Sequence, residues 1–185
     1  MNAPAAQRLT VDEYYALPTE GDRRTQLIGG EVVVSHPLPI HSVLQLRIAA
    51  ALQSWTDARD GRGLAMLTTD VVLTEYDAYG PDIVWVSEQH LPDDLEKRLA
   101  RVPDLCVEVR SPSTWRYDVG RKKSVYEASG LPELWLVDYD AVLVFRGSGP
   151  AEPSFDVALE LNREDRLASP QLPGFGLDIA RLFRP

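Results

Sequence analysis

The chain has 185 residues and a formal net charge of −9 at pH 7, so bulk charge does not suit it to coat nucleic acid or to lie on an anionic membrane. Hydrophobic residues make up 44% and charged residues 25%, which is enough for one domain over 1–185 with a sizeable core. Cys106 is the single cysteine, which excludes a disulfide framework and a multi-cysteine metal site. The sequence has no apolar run of bilayer length and no apolar segment of a secretory signal at the start, so a cytoplasmic protein is expected.

Residues 9–17 predict a short helix, with Thr10 as cap, Glu13 completing a capping box and Pro18 as the stop. Residues 26–34 read as a hairpin turning at Gly29-Gly30, with Glu31 beside the turn. From His41 to about Arg59, apolar residues recur at helical spacing, and His41 stands at the start. Residues 64–74 predict one strand, bulged near Thr68–Asp70, and residues 82–87 a second that opens on Asp82. A short helix is expected near 92–100.

The most informative stretch is 104–138, which reads as strand, helix, strand. Side chains alternate between the faces of a strand, so Cys106, Glu108 and Arg110 share one side and Leu105, Val107 and Val109 the other. A carboxylate on an otherwise buried strand is costly unless something uses it. In the helix, Ser113 or Thr114 is a candidate cap, and Gly130 and Pro132 end the run. Trp115, Val119, Lys122, Tyr126 and Ser129 form the inward stripe, which turns Lys122 toward the sheet and Lys123 toward solvent. Asp118 lies one turn before Lys122 and can pair with it. Residues 141–146 and 155–161 predict two antiparallel strands, and 170–183 a tail ending in a short apolar helix. Phe145, Phe155, Phe175 and Phe183 are the candidates for exposed apolar surface.

After residue 40 the elements therefore run helix, three strands, helix, strand, with Asp82 and Glu108 on successive strands. Two carboxylates held close repel, and a divalent cation removes that repulsion. Mg2+ takes one or two carboxylates and completes its shell with waters and phosphate oxygens. With a lysine alongside, this is the chemistry of metal-dependent phosphodiester cleavage.

The blocks LTVDEYYALP, LIGGEVVV, YGPDIVWVS, PDLCVEVRSPST, DVGRKKSVYEASGLPELWLVD and SPQLPGFGLDIARLF, in this order, resemble the Uma2 family of the PD-(D/E)XK nuclease superfamily over nearly the whole chain. The resemblance implies an α/β fold of α+β mixed-sheet type. Its restriction-endonuclease-like core has the order αβββαβ, with an N-terminal helix and hairpin and a C-terminal antiparallel extension. It implies Asp82 and Glu108 as ligands of Mg2+ or Mn2+, and the motif lysine moved from the strand onto the helix at Lys122. Glu31 and His41 match family positions. Arg110 stands where the superfamily motif has lysine, and Gln26 and Gly29 where the family often carries acids.

The function expected is hydrolysis of DNA, with Lys122 positioning or activating water. The alternative is a nucleic-acid or protein-binding module that retains the fold without catalysis. Arg110, Arg116 and Lys123 are candidate phosphate contacts, and such a patch predicts a log–log salt slope of magnitude about 3–5. Cutting two strands by symmetry suggests a homodimer. No membrane or organic cofactor is implied.

Overall fold

Thr10 caps the first helix as its spacing to Glu13 requires: both bonds of the capping box form around α1 (Val11–Tyr15). The computed structural model describes residues 8–18, 24–99, 101–147 and 153–184. The hairpin is β1 (Thr25–Ile28) and β2 (Glu31–Val34). Its turn needs two residues of positive φ, and Gly29 and Gly30 sit at φ 63° and 82°. The helix α2 spans Pro39–Asp57 and turns His41, Leu44, Ile48, Leu52 and Trp55 inward.

The run 64–74 is two strands and not one. β3 (Leu64–Leu67) and β4 (Val71–Thr74) belong to different sheets, and Thr68 at φ 51° turns the chain between them. β5 (Asp77–Tyr79) joins β4 in a small sheet of order β2-β1-β5-β4. The main sheet takes in β6 (Ile83–Val86) and β7 (Leu105–Val109). No helix forms over 92–99. A 3-10 turn at Glu88–His90 comes earlier, and Leu99 bridges to Val71; residue 100 and most of the turn expected at 147–153 lie outside the described residues.

The helix expected over 113–129 is three pieces: α3 (Trp115–Tyr117), a π turn (Asp118–Lys122) and α4 (Lys123–Ala128). Neither Ser113 nor Thr114 makes the expected side-chain cap bond at the start of α3. Then come β8 (Glu133–Val137), β9 (Val142–Gly147) and β10 (Phe155–Leu161). A short pair, β11 (Arg166–Leu167) and β12 (Leu177–Asp178), precedes α5 (Ile179–Leu182).

The six-stranded sheet has the order β10-β9-β8-β7-β6-β3. Only β7 and β8 are parallel, as the helical crossover between them demands. The core order αβββαβ with its antiparallel extension is therefore the one expected. Alternation along β7 divides the core. Leu105, Val107 and Val109 pack with α2 and the C-terminal tail, where Phe175 and Phe183 are buried. Cys106 faces the other way, with Tyr126, Tyr79 and Ile28. Glu108 follows Cys106 onto that second face, beneath the crossover helix and the small sheet. None of the four phenylalanines is exposed: Phe145 and Phe155 are half-buried against each other at 5.8 Å.

Candidate active site

Two neighbouring strands deliver the carboxylates. β6 and β7 pair as Ile83↔Val107 and Val84↔Cys106, and one further step of that register sets Asp82 opposite Glu108. The Asp82 N–H donates to the Val107 carbonyl at 3.0 Å, which holds the step. Both residues are 4% exposed.

The crossover helix supplies the cation. Lys122 is wholly buried, and its Nζ lies 2.6 Å from Glu108 Oε1 and 2.9 Å from Asp118 Oδ1. Both contacts are ion pairs off hydrogen-bond angles. The Tyr126 hydroxyl donates to Glu108 Oε1 at 2.7 Å. The π turn explains how these residues meet. The chain kinks at Gly120, whose φ of −108° and ψ of −107° are not helical, and Asp118 and Lys122 keep a spacing of four across the kink that leaves them on one face. Val119, expected inward, is 42% exposed, and Asp118 has its place.

Asp82 is held from three sides. Its Oδ1 accepts from Arg24 Nη1 at 2.7 Å, and its Oδ2 from the Val109 N–H at 2.7 Å. His41 Nε2 lies 3.1 Å from Oδ2. Since a carboxylate only accepts, Nε2 carries the proton in this contact, and Nδ1 is left buried without a partner. Gln45 fixes the backbone by donating to the Asp82 carbonyl at 2.9 Å.

These surroundings split the two acids. Burial pushes Asp82 upward, but the His41 hydrogen bond and charge, Arg24 and the Val109 N–H together hold it below the usual aspartate range. Burial pushes Glu108 up as well; Lys122 pulls it down, while Asp118 and Asp82 add to the rise, and the net shift is upward. Burial alone lowers the Lys122 ammonium, yet Asp118 and Glu108 outweigh it and raise it above the ordinary lysine value. Lys122 therefore keeps its proton near neutrality.

Other expected site residues fall elsewhere. Arg110 is paired with Asp138 at 2.7 Å and lies over Trp115 and Tyr139. Lys123 is half-buried and sits 4.7 Å above the Phe145 ring, where the stripe placed it in solvent. Arg116 is exposed, with its guanidinium on its own neighbour Tyr117. Glu31 is exposed at the start of β2. Gln26 is buried on the face of β1 that also carries Arg24 and Ile28, and its Oε1 has no partner. Since Arg24 reaches Asp82 and Ile28 packs with Tyr126, Gln26 lies between the two halves of the site. The Asp118–Lys122 pairing and the inward turn of Tyr126 are as expected, while the contact of Tyr126 with Glu108 and the whole role of Arg24 are new. Asp118 and Tyr126 carried a signal in their spacing of four on either side of Lys122.

The donor chemistry suits a hard divalent ion, since two carboxylates on adjacent strands are what Mg2+ takes from a protein. Three buried acids, Asp82, Glu108 and Asp118, outnumber Lys122 and Arg24. Buried polar atoms without hydrogen bonds gather here: Gln26 Oε1, His41 Nδ1, Asp118 Oδ1 and Lys122 Nζ. No cage of three His, Cys, Asp or Glu side chains converges among the described residues. A cavity of about 430 Å³ beside Trp55 and Trp85 opens at the other end of β6, away from this chemistry.

A family model, Uma2, described as "Putative restriction endonuclease", matches residues 11–180. The chain belongs to the Uma2 family. A solved structure described as "a putative nuclease belonging to DUF820" from Anabaena variabilis ATCC 29413 is 21% identical, with a TM-score of 0.78, covering 95% of this chain and 97% of that one. That likeness establishes a shared nuclease-like fold. No curated protein matches the chain. Membership of Uma2 gives the αβββαβ core a nuclease context, and the Asp82, Glu108 and Lys122 group lies at the middle of that core.

Proposed function

We propose that the chain is a metal-dependent endonuclease that hydrolyses phosphodiester bonds of DNA. Asp82 and Glu108 hold Mg2+ or Mn2+. The reading rests above all on the register that faces these two acids across β6 and β7 with Lys122 against Glu108. A bound divalent ion would supply an activated water and neutralise charge on the phosphate.

The chain's own residues do the rest. The Val109 N–H and His41 fix the plane of the Asp82 carboxylate. Tyr126 fixes Glu108 Oε1 and, with Tyr79, keeps bulk water off Lys122. Lys122, held protonated, orients a water or donates to a developing oxyanion; it is not a general base. We further read the protein as a single cytoplasmic domain that acts as a homodimer. No helix among the described residues is long and apolar enough to cross a membrane.

Purified protein should nick supercoiled plasmid in Mn2+ and not in chelator. Asp82→Asn and Glu108→Gln should abolish nicking while circular dichroism stays unchanged. Cleavage at the wild-type rate in both variants would refute the assignment. The competing reading, a binding module without catalysis, draws on the full set of partners that already surrounds Asp82. It requires that no Mn2+ binds at millimolar concentration.

A further inference from the structure

Arg24, the residue before β1, reaches Asp82. Its Nη1 donates to Oδ1 at 2.7 Å, and its Nη2 donates to the carbonyls of Gly80 at 2.6 Å and Pro81 at 3.2 Å. The guanidinium thus clamps both the carboxylate and the turn that leads into it. The other partners of the Asp82 carboxylate are sealed: the His41 side chain is 4% exposed and Val109 is 2% exposed. Arg24 alone among them meets solvent, with 30% of its side chain exposed. The wet approach to Asp82 therefore runs past a fixed positive charge. A guanidinium does not lose its proton in the physiological range, so pH cannot silence it; it has to move.

We infer that Arg24 is a built-in counter-ion that competes with the divalent cation for Asp82 Oδ1, so that metal entry requires release of the Arg24 clamp. This rests on the reading of Asp82 as a metal ligand. Removing one positive charge beside a cation site favours the cation, and partial solvent screening keeps the gain to about tenfold in affinity. The clamp also answers a structural need, because a buried aspartate without a counter-ion is costly. Arg24 thereby keeps the fold intact before metal arrives and sets the metal concentration at which the site fills.

Mn2+ titration calorimetry and thermal melts on the full chain test this. Arg24→Gln should bind Mn2+ about tenfold more tightly than wild type, and Arg24→Lys, which keeps the charge, should stay near wild type. Without metal, Arg24→Gln should melt below wild type, and saturating Mn2+ should close that gap, because a ligand stabilises the state it binds. Asp82→Asn should lose the binding in either background. Equal or weaker Mn2+ binding by Arg24→Gln, with binding still lost in Asp82→Asn, overturns the clamp and leaves the metal assignment standing. No Mn2+ binding by wild type or Arg24→Gln overturns both.

Discussion

Lys122 ties the site to the stability of the fold. A fully buried ammonium is tolerable only because Glu108 and Asp118 share it. Lys122→Met leaves two buried acids facing each other and should cost about 3–5 kcal/mol in urea unfolding. Adding Glu108→Gln removes one of those charges and should restore about 1–2 kcal/mol of that loss. Strict additivity of the two changes would show that the pair is not coupled. Lost activity in a Lys122 variant therefore reports on folding as well as catalysis, and the acid variants are the cleaner test. The residues legible from sequence were those fixed by local periodicity. Alternation gave Glu108 its face, and helical spacing turned Lys122 inward and Lys123 away from it. Arg24 was not legible, because its partner lies 58 residues away and no local pattern marks it.

The crossover helix shows where periodicity fails. A stripe drawn at α-helical spacing put Val119 inside and left Asp118 as a side partner, and the π turn reverses this. The same element carries the basic segment that promised contact with DNA. Arg110 is bound to Asp138, Arg121 to Asp77 and Lys122 to the two buried acids. The positive charge read from the sequence is therefore largely spent within the protein. The slope of log affinity against log salt should fall to about 1–2 in magnitude, below the 3–5 that the bare sequence suggests. Electrophoretic shifts between low and moderate salt will measure it, and a slope near 4 would mean that the internal pairs open on the duplex. The split of 64–74 into two sheets was hidden for a related reason. Thr68 reverses the chain with a positive φ that its residue type does not announce.

At the scale of the whole molecule, the order of strands was readable and the way they share two sheets was not. The apolar content that remains outside is not where the aromatic residues suggested. Leu46 on α2 is 67% exposed and Leu67 on β3 is 51% exposed, and β3 ends the six-stranded sheet. The proposed homodimer would bury this face. Light scattering at micromolar concentration should give about twice the 20.6 kDa of the chain, and a mass that stays near 20.6 kDa removes the dimer.

Cys106 lies one turn of the pleat from Glu108, wholly enclosed, and burial pushes its thiol upward. The sequence has one cysteine, so alkylating reagents have a single target, and that target lies beside the proposed metal ligand Glu108. The protein thus carries a native clock for how often the crossover helix lifts from the sheet, readable by mass spectrometry without any engineered label.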